Sequence, residues 1–216
     1  MKAMRVLPAL VLFFVLYSAQ AIPSYYSGNV LPNKDEQEML DLINLMRTQP
    51  QKFLDSIALP YIKAKKMENN SYAKSLISDL RKAKSVPALA FLPGLMNSAS
   101  DHALDCGKTG RVSHTGSDGS RFTKRIERYM KWNGMAGENC HYGYDDPLDI
   151  VMDLLIDEGI EGVGHRVNMM SASFRFVGIA MRPHRVYGTN TVMDFVAGYS
   201  EATAVNKPSS TKHKTR

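Results

Sequence analysis

The chain has 216 residues, 44% of them hydrophobic and 22% charged, with a net charge of +6. That length supports one domain with a real core and is short for two, and the balance of apolar to charged residues is an ordinary globular one. The basic surplus is small and partly gathered at the C-terminal end, so nucleic-acid binding is not argued from charge.

The chain opens with Lys2 and Arg5 ahead of the apolar run LPALVLFFVLYSA. Ala19-Gln20-Ala21 then fits the small-x-small rule of signal peptidase, so residues 1–21 are expected to be a signal peptide cut after Ala21. The other reading is an uncleaved anchor, but the run is shorter than the roughly 20 residues that span a bilayer. No later segment is apolar enough to do so. The expectation is therefore a secreted, extracellular protein without stable membrane insertion, and cleavage lowers its net charge from +6 to +4 as Lys2 and Arg5 leave.

Residues 22–35 read as a short N-terminal segment, and the domain itself is expected over 36–200. DEQEMLDLINLMRTQPQKFL predicts a helix, with Asp35 and Glu38 forming a capping-box-like start. Met39, Leu42, Ile43 and Met46 make its apolar stripe, and Pro50 ends or bends it. Residues 53–86 are rich in Lys and Ser and predict a peripheral helical excursion. FLPGLMNSASDHALDCGKTG predicts another helix, with Leu95, Ala99, His102, Ala103 and Cys106 on one face and Gly107 or Gly110 as its stop. SHTGSDGS is a turn-rich loop in which Ser120 or Asp118 can cap a helix over RFTKRIERYM.

GENCHYG reads as a short strand. Pro147 opens the helix LDIVMDLLIDEG, with Leu148, Val151, Leu154 and Leu155 inward and Gly159 closing it. FRFVGIAMR and TVMDFVAGYS are rich in β-branched and aromatic residues at period two, and PHRVYGTN between them suits a hairpin. Helices followed by two C-terminal strands imply an α+β layered domain. The tail, residues 201–216, has no apolar residue after Val205 and reads as a disordered basic end.

Two cysteines, Cys106 and Cys140, suggest one disulfide if the chain is exported. It would close a loop of about 34 residues and contribute about 3–4 kcal/mol. Two buried free thiols or an intermolecular bridge are the alternatives. A cysteine nucleophile at Cys140 and a Ser113, His114 and Asp118 triad both have weak support. A reactive thiol needs access and a lowered pKa, and neighbours in a tight loop rarely meet in triad geometry. No phosphate-cradling or dinucleotide-binding motif is present.

Four kinds of titratable group sit in glycine-rich or element-terminal settings: His114, Glu138, the pair Asp157 and Glu158, and His165. Two neutral imidazoles and two carboxylates can hold Zn²⁺ or another divalent cation. Without metal, each carboxylate can fix the tautomer of a neighbouring histidine. Arg166 is expected to be structural or solvated, with pairing to an acid such as Glu161 as the alternative, and His141 and His184 read as non-catalytic.

The ordered segments INLMRTQPQKF, LMNSASDHALD, SHTGSDGSRFTKRI, GENCHYG, LLIDEGIEGVGHRVNMMSASFRFVGIAM and HRVYGTNTVMDFVAGYS resemble the CAP superfamily. These are the cysteine-rich secretory, antigen 5 and pathogenesis-related proteins, and the likeness is to their shorter SCP-like microbial branch. The resemblance implies a three-layer α-β-α sandwich with a central antiparallel sheet and a broad cleft carrying two histidines and two acids. His114, Glu138 and His165 match three of these. The second acid matches Asp157, with Leu154 where the family has a tryptophan, and Glu158 adjacent as competitor. The implied role is a secreted binding or interaction module for a lipid, sterol or cell-surface ligand, with an optional divalent metal. The alternative is a metal-assisted, protease- or esterase-like hydrolase with Glu138 as general base.

Overall fold

The computed structural model describes residues 31–200. The expected signal peptide, its cleavage site and the basic tail lie outside these residues. Among the described residues no helix is long and apolar enough to cross a membrane.

Helix α1 (Lys34–Thr48) starts on a capping box, but two residues earlier than expected. Asn33 accepts from the Glu36 backbone N–H, and Glu36 accepts from the Asn33 backbone N–H. Glu36 is buried because its carboxylate also pairs with Arg182. Pro50 begins α2 (Pro50–Phe53), which runs through a π-helical turn (Leu54–Ala58) into α3 (Leu59–Ala64). Helix α4 (Ser71–Lys82) follows, capped by Asn70, so the Lys- and Ser-rich excursion is helical as expected.

Strand β1 (Ala90–Phe91) leads into α5 (Pro93–Thr109). The face predicted for α5, from Leu95 to Cys106, is the buried one, and Gly110 stops it at φ 74°. Helix α6 (Phe122–Glu127) is short, and neither Ser120 nor Asp118 caps it. Asp118 instead accepts the Ser120 backbone N–H at 2.8 Å inside the preceding loop. The GENCHYG strand is part of a longer β2 (Lys131–Tyr142). Helix α7 (Pro147–Ile156) is capped by Asp146 and ends at Asp157, not at Gly159: Asp157 takes the left-handed conformation at φ 59°. A 3₁₀ turn (Glu161–Val163) precedes α8 (Gly164–Met170), and β3 (Phe176–His184) and β4 (Gly188–Ser200) form the expected hairpin.

The sheet order is β1-β3-β4-β2. It is antiparallel except for β1, which pairs parallel with β3. Helices cover both faces, so β4 is apolar on both sides from Val192 to Val196, around a single charged residue, Asp194. On one face Val177, Ile179, Met193 and Phe195 pack with α1, α4 and α7. On the other, Ala180 and Val192 pack with Ala99 and Ala103 of α5, and Val196 with Leu95. The two predicted strand stripes therefore face opposite layers. Gly178 lets α5 lie directly on the sheet: a Cβ there would sit 2.2 Å from the Leu95 carbonyl carbon and the Met96 nitrogen. The result is the α-β-α sandwich expected, with β2 as an edge strand.

Candidate functional site

Strand β2 positions the site because it is an edge strand with alternating side chains. Glu138 and Cys140 point toward α5 and α6. Asn139 and His141 point toward α7 and α8. The loop after α5 brings His114 to the first side, and the turn after α7 brings Asp157 and His165 to the second.

On the first side, His114 Nδ1–H donates to Glu138 Oε1 at 2.8 Å. Arg125 Nη2 donates to Glu138 Oε2, and Arg125 also donates to the Ser120 carbonyl at 2.8 Å and the His114 carbonyl at 3.2 Å. Glu138 and Arg125 are buried, whereas the His114 side chain is 56% exposed. Burial alone would raise the Glu138 pKa. The hydrogen bond from His114, together with the charges of His102 and Arg125, reverses this and holds the carboxyl below its ordinary value.

On the second side, Asp157 is left-handed at the α7 terminus, a conformation that aspartate tolerates better than most residues. Its carboxylate accepts from His165 Nδ1 at 2.7 Å and from the His165 backbone N–H at 2.9 Å. The Arg166 backbone N–H follows at 3.4 Å. Helix α8 has no side-chain cap of its own, so Asp157 acts as a cap supplied from the preceding element. Glu158 is exposed and lines the cleft without bonding either histidine, so Asp157 is the acid that pairs with His165.

Beside the second pair lies a cavity of about 200 Å³, lined by Cys140, His141, Tyr142, Asp153, Asp157 and His165 among others. Cys140 Sγ is 3.6 Å from His114 Nδ1, so Cys140 is the shared neighbour of both histidine–acid pairs. His141 is brought here too, as a residue that sequence reasoning set aside. Its Nε2 lies 3.1 Å from Asp153 Oδ2, and its ring stacks on Tyr144 at 5.3 Å. The signal was available: Asp153 lies four residues before Asp157, one turn up the same helix. His184 is structural. Its Nε2 donates to the Arg111 carbonyl and its Nδ1 accepts two backbone N–H groups of the β3–β4 turn.

The expected disulfide is corrected, and two weaker readings are ruled out. Cys106 and Cys140 are free thiols, not a disulfide. Each sulfur instead has a ring beside it: Cys106 Sγ is 3.6 Å from His102 Nε2, and Cys140 lies against His114. Arg166 does not pair with Glu161. It is buried and donates to Asp79, Ser75 and the carbonyls of Leu155 and Ile156, fastening α4 to the α7–α8 junction. The Ser113, His114 and Asp118 triad does not form, since His114 turns to Glu138 and Asp118 bonds Ser120 and Arg128.

The donor chemistry fits a divalent ion in one particular way. A carboxylate oxygen only accepts, so Nδ1 of His114 and of His165 must carry the proton, which leaves each Nε2 with a free lone pair. This is the carboxylate–histidine arrangement that presents imidazole to a metal. The carboxylates themselves are occupied: Glu138 by His114 and Arg125, Asp157 by His165 and the α8 backbone. They fix the orientation of the two rings.

Residues 74–197, more than half of the chain, match the cysteine-rich secretory protein family, CAP. The chain belongs to this family. No curated protein sequence is similar enough to this CAP protein to count as a match. Similar solved structures include an extracellular protein containing an SCP domain from Bacillus anthracis, 23% identical, with TM-score 0.45, covering 61% of this chain and 42% of that one. An outer surface protein from Borrelia burgdorferi is 17% identical, with TM-score 0.45, covering 58% of this chain and 87% of that one. A cysteine-rich secretory protein from Staphylococcus aureus is 15% identical, with TM-score 0.40, covering 59% of this chain and 40% of that one.

Proposed function

We propose that this CAP domain is an exported interaction module whose histidine–acid cleft holds a divalent cation and, through it, an oxygen-rich or anionic group on a cell-surface ligand. The observation that carries this reading is the matched pair of imidazoles, each tied through Nδ1 to a buried carboxylate and each left with Nε2 as its open donor. When bound, the ion supplies a charged docking point. His114 and His165 hold it, while Glu138 and Asp157 fix the ring orientations. The cavity of about 200 Å³ suits an ion and a small polar group. It is below the roughly 300–1,000 Å³ of drug-sized ligand sites, so a sterol is a poorer fit than a surface ligand.

A hydrolase reading draws less support. Glu138 as general base would need a basic oxygen facing water, but both its oxygens accept hydrogen bonds, and the bond from His114 and the Arg125 charge lower its basicity. Burial, and after it the charge of Glu138, push the Cys140 thiol well up, the opposite of an activated nucleophile.

The test is calorimetric titration of the purified protein with Zn²⁺. Substituting His165→Ala or His114→Ala should each weaken the cleft binding by about 10–100-fold. Unchanged isotherms in both variants would refute the cleft as a metal site.

A further inference from the structure

The cleft reading leaves a second group of donors unused, on the α5 side of β2. A ring nitrogen of His102, a carboxylate oxygen of Glu138 and Sγ of Cys140 lie within 4.8 Å of one another. Cys106 Sγ is 3.6 Å from His102 Nε2, and the Tyr142 hydroxyl is 3.9 Å from Cys106 Sγ. Glu138 and Cys140 also border the cleft, but neither cleft histidine, His114 or His165, belongs to this cluster.

His102 is already oriented as a ligand would be. His102 Nε2 lies 2.7 Å from the Ser113 carbonyl, which can only accept, so Nε2 carries the proton and the lone pair is on Nδ1. A backbone carbonyl on the far nitrogen is a common second contact of metal-bound histidine. The cluster borders two openings. Cys140 lines the cleft cavity, and His102 lines a separate one of about 220 Å³ with Asp105, Ser117 and Arg125. Zinc–ligand bonds of about 2.0–2.3 Å would draw the donors in by about 1 Å.

We infer that His102, Glu138 and Cys140 form an inner site for a thiophilic cation, Zn²⁺ or Cu⁺, with Cys106 alongside as a further sulfur donor. Sulfur and imidazole together select these ions over Mg²⁺ and Ca²⁺. Binding breaks the Cys140 S–H bond, forms the sulfur–metal bond and releases the proton to solvent, with no change of oxidation state. Arg125 is the opposing group: it balances the Glu138 charge when the site is empty and competes with the ion for the carboxylate.

The experiment uses Co²⁺ as a spectroscopic stand-in for Zn²⁺, titrated into the full chain under a non-chelating reductant. The inner site predicts a near-ultraviolet thiolate-to-cobalt charge-transfer band. The band should vanish in Cys140→Ser, weaken by about tenfold in apparent affinity in His102→Gln, and persist in His165→Ala, which removes a cleft residue only. No band in the wild type, or one that survives Cys140→Ser, overturns the proposal. Where Cys140→Ser fails to fold, alkylation of Cys140 in the wild type decides: Zn²⁺ should slow it at least about tenfold, and an unchanged rate sinks the inner site.

Discussion

Glu138 and Asp194 face each other across β2 and β4, and the two carboxyl groups have opposite fates. Glu138 is held ionised by His114 and Arg125. Asp194 is fully buried, and neither of its oxygens meets a hydrogen-bond donor. Burial first, and the charge of Glu138 second, push the Asp194 pKa well up. A protonated Asp194 can donate to the Glu138 carboxylate, which satisfies both groups without a second cation. The stability consequence has a definite sign. The folded pKa lies above the unfolded value near 3.9, so the folded state binds the proton more tightly. Stability relative to the ionised state is fully present below the unfolded pKa and is lost as pH rises toward the folded one, by up to about 1.4 kcal/mol per pH unit. Asp194→Asn keeps the shape and removes this titration. Urea unfolding across that window should show the variant with a flatter pH profile and stability at neutral pH equal to or above the wild type. A profile parallel to the wild type would mean that Asp194 is ionised when folded. The apolar alternation of β4 is plain in the sequence, but this state is not, because it depends on which strand lies opposite.

At the scale of elements, the α7–α8 junction is held by charged side chains that read as surface groups in the sequence. Asp157 ends α7, caps α8 and orients His165. Arg166, in the first turn of α8, reaches back to α7 and across to α4. Arg47 does the same from α1, donating to the carbonyls of Pro87, Met169, Ser171 and Phe174, and burial with nearby Arg175 lowers its pKa to about 10. These partners are backbone groups far along the chain, so no local pattern announces them. The helical stripes of α1, α5 and α7 were legible because they repeat at 3.6 residues, and the β3–β4 hairpin because it repeats at two. The end of α7 was misplaced at Gly159 because a left-handed residue is usually glycine, and here Asp157 takes that conformation for the bonds it makes. Asp157→Ala should cost about 1–3 kcal/mol in denaturant unfolding and raise hydrogen exchange of the α8 amides, because it strips an N-terminal cap and leaves His165 without its acceptor. Intact protection in α8 would show that the helix does not depend on this carboxylate.

For the whole molecule, the sandwich explains why residues more than fifty positions apart can act together. The sheet ends at β2. An edge strand covered by helices on both faces leaves a seam where the two layers meet solvent. His114 arrives from the α5–α6 layer and His165 from the α7–α8 layer, with Cys140 and His141 on the seam between them. The resemblance of the motifs to the CAP family located the four groups. The structure adds which ring nitrogens face a carboxylate and which do not. The most direct test is a crystal of the protein soaked in Zn²⁺, with anomalous scattering used to place the ion. The account predicts an ion in the cleft bonded to Nε2 of both His114 and His165, with each Nδ1 still on its carboxylate. An ion bonded to only one of these rings, or to Asp157 or Glu138 with the rings displaced, would contradict it.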